Sequence, residues 1–556
     1  VSAVVPLALG VQSLGSLTYA RFTKNLARLL YQRRFELMGK IIIDPVSRIE
    51  GHLKVEAVVD GGKVKEAKSS GMMFRGLELI MRGRDPRDAQ RITQRVCGVC
   101  PTSHSVAATL NLDSAFGIAD KIPDNGRIIR NLILGAAHIA DHILHFYHLV
   151  ALDYVDVARL ANYKGNNTAL NSIKSFIGRG ELGPFVPRYE GDYRLPDEAN
   201  EQAIAHYVAA FDMRRKGQEM LALFGGKMPH NMGVMPGGVA SVPAIDNITS
   251  FLWRLKELQE FVDNVYLPDV LAVAGVYSDY FEIGHGCGNL LAYGSYELDG
   301  KEADLTKRKK FFRPGTTSTD LKFSEFDPAR ITEEVKHSWY ADSISGKHPS
   351  QGDVVPDRGK KGAYSWLKSP RYGGIVFEVG PLARIMVNYV GHNPVVKSLV
   401  DSTLSQAKLK PEAMFSVMGR NLARALETKL IADTMVDWIL ELKPGEPAYA
   451  SYELPDESSG MGLVGAARGA LGHWIQIKEG KIANYQVITP STWNISPRDD
   501  KNQPGPLEEA ITGTKIKDEA NPFEIVRIVR SFDPCLACSI HLLSPRGHDL
   551  GRFRVC

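Results

Sequence analysis

The sequence predicts a mainly helical α+β fold with small sheets near both ends of the chain. Three observations point to it. Long stretches carry apolar residues every three to four positions, strand-like alternation is confined to the two ends, and the region between residues 293 and 372 is rich in charge, glycine and proline. The 556 residues, 44% apolar and 23% charged, suffice for a sizeable core, and no internal repeat or low-complexity tract divides them.

Residues 1–37 come first and fit no element of the fold. Val1 to Val11 is largely apolar, and Arg21, Lys24, Arg28, Arg33 and Arg34 follow it. A secretory signal places its charge before the apolar stretch, so the order is reversed. The stretch reads as an upstream extension, with the catalytic unit starting at Met38. From Ile41 to Ser69 the pattern is strand-like: Leu53, Val55 and Ala57 alternate, and Asp60-Gly61-Gly62 is a turn before Val64 resumes the pattern. The clearest helix spans 127–162 without a proline, with Ile128, Leu132, Ala136, Ile139, Ile143, Phe146 and Val150 on one stripe. Further helices are expected over 201–223, 248–266 and 411–442. The stretch 293–372 reads as loops with short strands. A late strand pair carries Trp474, Ile475 and Ile477, then the turn Glu479-Gly480, then Ile482 and Tyr485.

Charge excludes some functions. The net charge is +4, and the basic clusters, Arg82-Gly-Arg84 and Lys307 to Lys310, are short. Nucleic-acid binding needs a basic stripe on a recognisable module, and none is present. No run of about 18 uninterrupted apolar residues offers a membrane span. Six cysteines in so long a chain are no disulfide scaffold; four of them form two Cys-x-x-Cys pairs, which reads as metal or redox chemistry.

The pairs lie in Arg95-Val-Cys97-Gly-Val-Cys100-Pro-Thr-Ser-His104 and Asp533-Pro-Cys535-Leu-Ala-Cys538-Ser-Ile-His541. Two intervening residues let both sulfurs of a pair face one centre, and four thiolates suit zinc, iron or nickel alike. A zinc ribbon brings its pairs within some 15–20 residues of each other. Here more than four hundred residues separate them, which fits a site assembled where the two chain ends meet.

These two motifs together resemble the paired signatures of nickel–iron hydrogenase large subunits. The resemblance extends to Arg48-Ile-Glu50-Gly-His52, Phe74-Arg-Gly-Leu-Glu78, Asp141-His142-x-x-His145-Phe-Tyr-His148, Ala467-Arg468-Gly-Ala-Leu-Gly-His473 and Tyr485-Gln-Val-x-x-Pro490-Ser491-Thr-Trp-Asn494, seven blocks in family order. It implies the large-subunit fold around a central bundle of long helices, and heterolytic splitting of H2 at a Ni–Fe centre whose iron carries carbon monoxide and cyanide. Cys97 and Cys535 would bind nickel terminally, and Cys100 and Cys538 would bridge to iron. Arg468 would overhang the open position with Asp141 and Asp533 beside it. Pro490 and Ser491 would hydrogen-bond the cyanides, His104 would donate to a bridging sulfur, and Glu50 would take the first proton. Glu78, the Val487 carbonyl and His541 would hold a second ion, Mg2+ or similar. The resemblance also implies that the chain is cut after His541, so 38–541 would be the catalytic domain and 542–556 a pro-segment.

Partners follow from the same resemblance: an iron–sulfur small subunit, for whose clusters this chain lacks cysteines, and a maturation endopeptidase with nickel-insertion proteins. The wording of Arg84-Asp-Pro-Arg87-Asp-Ala resembles respiratory uptake enzymes, which implies a membrane-associated site on the extracytoplasmic (periplasmic) side, with membrane contact through partners. That side is reached with the small subunit, whose export signal serves both; a cytoplasmic site is the alternative. The sequence departs from the family at Met228, where a histidine is frequent. His142, His145 and His148 read as satisfied core histidines and Cys287 as a thiol buried in a turn. The main alternative is a hydrogen-sensing regulatory subunit with the same site; a structural zinc protein is another, and retention of all four cysteines argues against a quinone-reductase subunit of related fold that has lost the metal.

Overall fold

The computed structural model describes residues 39–180, 185 and 192–536. The upstream stretch, Cys538, His541 and the segment 542–556 lie outside the described residues. Period-2 alternation builds the first sheet. Leu53, Val55, Ala57 and Val59 are buried and their neighbours half-buried in β2 (Leu53–Asp60), which lies between β1 (Gly39–Ile43) and β3 (Lys63–Gly71). Gly61 and Gly62 turn β2 into β3 with φ of 59° and 71°, values that a two-residue hairpin loop requires at both positions.

Helices fill the middle. α1 (Pro101–Ala115) starts on a proline, whose missing N–H costs nothing in the first turn, and is buried on nearly every face. α2 (Asp124–Ile143) continues as a π-helical segment, Leu144–Val150, and closes in a 3₁₀ turn, Ala151–Asp153. The single long helix expected here is therefore correct in place, but its winding loosens at residue 144 and ends well before residue 162. α3 (Asp197–Gly225) and α4 (Ile245–Phe261) pack against each other. α5 (Val417–Glu441) packs on α2 and α4, and α2 packs on α3. These four helices form the expected central bundle. The stretch between residues 289 and 372 is loop broken by two-stranded pairs, such as Asn289–Ala292 with Gly315–Ser318.

The second sheet has three strands, β4 (Ser458–Ala466), β5 (Gly469–Lys478) and β6 (Lys481–Ile488), in that order. The glycine-rich β4 has no counterpart in the sequence reading, because its pattern of small residues is not an alternating one. Those glycines have a packing reason. β4 lies directly on α1, and a methyl group on Gly462 would collide with the Ala107 carbonyl and the Asn111 backbone. α6 (Pro490–Asn494) follows β6, and α7 (Phe523–Ser531), buried throughout, delivers the chain to Asp533.

Candidate metal centre

Two short turns create the centre. Cys97 sits in extended backbone after a 3₁₀ turn, Gln94–Val96, and Cys100 immediately precedes α1. The Arg75 guanidinium donates to the carbonyls of Arg95 (3.1 Å) and Val96 (2.5 Å), which pins the approach to Cys97. The backbone N–H groups of Val99 and Cys100 point at Cys97 Sγ from 3.2 and 3.4 Å, a geometry that favours thiolate over thiol. On the opposite side Asp533 takes a left-handed φ of 53°, turning the chain out of α7. Glu50 N–H then donates to the Pro534 carbonyl (3.2 Å), and Leu536 N–H donates to the Glu50 carbonyl (2.7 Å), closing a parallel bridge between Glu50 and Cys535. Cys535 N–H donates to Ser491 Oγ at 2.9 Å.

The outcome is a sulfur cluster. Cys97 Sγ and Cys535 Sγ are 3.3 Å apart, Cys100 Sγ and Cys535 Sγ are 3.9 Å apart, and the three ligating atoms all lie within 4.8 Å of one another. All three cysteines are buried, and none is in a disulfide. Closely grouped, undimerised thiols are the donor set of a soft or borderline metal.

Charge surrounds the cluster. Arg468, in the turn between β4 and β5, has Nη1 3.3 Å from Asp141 Oδ2 and Nε 3.2 Å from Asp533 Oδ1. The second contact is an ion pair without hydrogen-bond alignment, and among the described residues both Asp533 oxygens lack a hydrogen bond. Burial pushes the Asp141 carboxyl up to about 7 despite Arg468. At Asp533 burial also pushes upward, but Arg468, His145 and Arg424 outweigh it and hold the carboxyl below its ordinary value. Behind Arg468 stands a second arginine: Arg384 donates to the Ala466 carbonyl at 2.7 Å and the Ala467 carbonyl at 3.2 Å. Its other face grips Glu427, which also meets His142 Nε2 at 2.9 Å.

Glu50 Oε2 lies 3.3 Å from Cys535 Sγ, whereas the neighbouring Arg48 pairs with Asp153 and His52 with Asp44. His104 Nδ1 meets His473 Nε2 at 3.2 Å, and His473 Nδ1 meets the Tyr485 hydroxyl at 2.8 Å. Burial lowers His104 to about 4, against the nearby Cys97. Ser491, at the start of α6 beside Pro490, is the acceptor for Cys535 already described. Glu78 and Val487 line one cavity of about 50 Å³ together with Glu333 and Lys368. Cys287 stands apart from the cluster; burial, with Glu378 adding to it, pushes its thiol up to about 12.

The family description "Nickel-dependent hydrogenase" matches residues 75–541, and "HoxL-like" matches residues 40–70. The chain belongs to the nickel-dependent hydrogenase family. It is 42% identical to the periplasmic [NiFeSe] hydrogenase large subunit of Desulfomicrobium baculatum, over 91% of this chain and 95% of that one. It is 38% identical to the uptake hydrogenase large subunit of Rhizobium leguminosarum bv. viciae, over 93% and 97%. The solved Ni-Fe-Se hydrogenase of D. vulgaris Hildenborough superimposes with a TM-score of 0.80 at 43% identity, covering 91% of this chain and 100% of the other. This hydrogenase carries cysteine at 97, 100, 535 and 538.

Several site residues of the hydrogenase escape sequence reasoning. Arg75, Arg384, Glu427 and Tyr485 carry no chemical signature of their own, and only Arg75 and Tyr485 sit inside a recognisable block. Arg384 and Glu427 are ordinary helix residues until the fold buries them together.

Proposed function

We propose that this hydrogenase runs H2 oxidation at a nickel–iron centre held by Cys97, Cys100, Cys535 and Cys538, the iron carrying carbon monoxide and cyanide. When bound, the centre would supply the heterolytic splitting of H2, which overall releases two protons and two electrons. Glu50, whose Oε2 lies 3.3 Å from Cys535 Sγ, would accept the first proton leaving the centre. Arg468 keeps its charge at any working pH and stabilises negative charge developing beside the sulfurs; Asp141 and Asp533 hold its plane. The Ser491 hydroxyl accepts from Cys535 N–H and, with Pro490 beside it, is assigned to donate its hydrogen to a cyanide. His104, whose Nδ1 meets His473 Nε2 at 3.2 Å, is assigned to donate to a bridging cysteine sulfur. Glu78, the Val487 carbonyl and His541 are assigned to a second ion, Mg2+ or similar. The cavity beside Glu78 has room for an ion's water shell, since one water needs roughly 10–15 Å³.

The single observation that carries this reading is the joint one: three buried sulfurs within 4.8 Å, one of them 3.3 Å from a carboxylate. The relatives are named large subunits, so an iron–sulfur small subunit is the partner that removes electrons. The periplasmic and uptake names support uptake at an extracytoplasmic face, reached through that partner; among the described residues no helix is long and apolar enough to cross a membrane. The family match ends at His541, which supports cleavage there by a maturation endopeptidase after nickel insertion, leaving 38–541 as the catalytic domain. The test is metal analysis with infrared spectroscopy on the anaerobically purified large–small complex. Nickel with carbon monoxide and cyanide bands is expected, and iron in excess of nickel because the small subunit's clusters add their own; zinc without nickel would overturn the reading. Slow turnover with an artificial acceptor would favour the hydrogen sensor instead.

A further inference from the structure

We infer that Asp153 is the positioning residue that holds Glu50 against Cys535, an inference resting on the proposed role of Glu50 as proton acceptor. The two partners come from chain segments with no covalent reason to meet. Glu50 follows β1, and Cys535 follows α7, 485 residues later. The bridge between them is brief, and at each side a non-glycine residue takes a left-handed backbone: Arg48 with φ 54° and Asp533 with φ 53°. Residues without glycine's freedom keep such angles only where their surroundings over-determine them.

One carboxylate oxygen supplies that constraint on both sides. Asp153 Oδ1 lies 2.5 Å from Arg48 Nη2, two residues before Glu50, and also accepts from Arg530 Nη1, five residues before Cys535. Arg48 Nη1 reaches on to the Leu149 carbonyl at 2.9 Å. Arg530 reaches back across the joint, donating to the Ser47 carbonyl from Nε (3.1 Å) and Nη2 (3.0 Å). Arg527, one turn earlier on α7, donates to the backbone carbonyl of Asp153 itself. Asp153 is buried and sits on the 3₁₀ turn where the loosened end of α2 stops. Both segments of the proton-transfer pair are therefore tied to one point on the central bundle through Arg48 and Arg530.

A tether of this kind acts on distance, and a proton transfer is more sensitive to distance than metal retention is: a displacement near 1 Å costs up to ~10²-fold. Asp153→Asn in the metal-loaded large–small complex is expected to keep nickel, iron and the KM for H2. Its turnover should fall roughly tenfold or more, with an enlarged solvent deuterium isotope effect as proton transfer becomes limiting. The double variant Glu50→Gln/Asp153→Asn should be no slower than Glu50→Gln alone. An unchanged isotope effect, or a double variant slowed by the product of the single effects, would overturn the tether and leave Asp153 a general stabiliser. If Asp153→Asn yields no loaded complex, Arg48→Gln cuts one arm only; the same pattern supports the tether and wild-type behaviour overturns it. The two readings fail separately. Normal turnover in Glu50→Gln removes the acceptor role and the tether with it, whereas an impaired Glu50→Gln beside a normal Asp153→Asn removes the tether alone.

Discussion

Asp141 on α2 and Arg468 in the β4–β5 turn meet at 3.3 Å across 327 residues of sequence. The contact joins the helical bundle to the second sheet at the edge of the sulfur cluster. Arg468 reaches a second carboxylate, Asp533, through Nε, so one planar group serves two partners in different directions.

Lysine cannot do this. Arg468→Lys keeps the charge but offers a single point, so one of the two aspartates loses its partner. Turnover is expected to fall by about 10²-fold, the size seen when one donor to developing charge is lost, with nickel and iron retained. Steady-state assays with metal analysis check this; near-normal turnover would show that charge alone suffices.

The Arg384–Glu427 pair makes a stability prediction. Both are fully buried, and Glu427 also carries His142. Burial would raise the Glu427 carboxyl, but Arg384 and His142 outweigh it and hold it far below its ordinary value. Glu427→Gln leaves a buried guanidinium uncompensated, which costs about 3–5 kcal/mol. Chemical denaturation of the complex should show it; a loss under about 0.5 kcal/mol would sink the idea.

A pH dependence follows from Glu508. Its carboxylate is fully buried, accepting from Ser69 N–H and the Tyr364 hydroxyl at 2.9 Å each, and burial pushes it up to about 7. A raised acid binds its proton more tightly folded than unfolded. Its contribution is therefore complete below the ordinary value near 4.5, declines as pH rises, and is gone above about 7. Glu508→Gln mimics the protonated form. Melting temperatures from pH 4.5 to 8 should fall more steeply for the wild type than for this variant; parallel curves would refute it.

Gly462 tests how the first cysteine pair is placed. A methyl there meets backbone of α1, which cannot yield without moving the helix that Cys100 precedes. Gly462→Ala is expected to lower nickel content per chain along with stability. Full metal loading would mean that α1 has slack against β4.

Much of the fold was legible. The period-2 residues of β2, the 3.6-period stripe of α2 and the glycine turn at Gly61-Gly62 each state a local preference, and each element formed where its pattern lay. β4 was not legible, since glycines selected for close approach to α1 leave no apolar alternation to read. The π-helical stretch after Ile143 was equally hidden: helix and π-helix share an apolar stripe over a few residues, and only packing decides between them.

The centre divides in the same way. Residue identity and two-residue spacing determined that Cys97 and Cys100 turn toward one point, that Arg468 carries permanent charge, and that a metal is the natural occupant. Those are short-range properties, fixed by bond geometry and side-chain chemistry. Tertiary structure alone decided that Glu50 comes within 3.3 Å of Cys535, that Arg384 braces the Arg468 turn from behind, and that Asp153 ties both chain ends to the bundle. None of these pairs has a sequence signature, because the buried setting that makes each one strong exists only after the chain has folded around it.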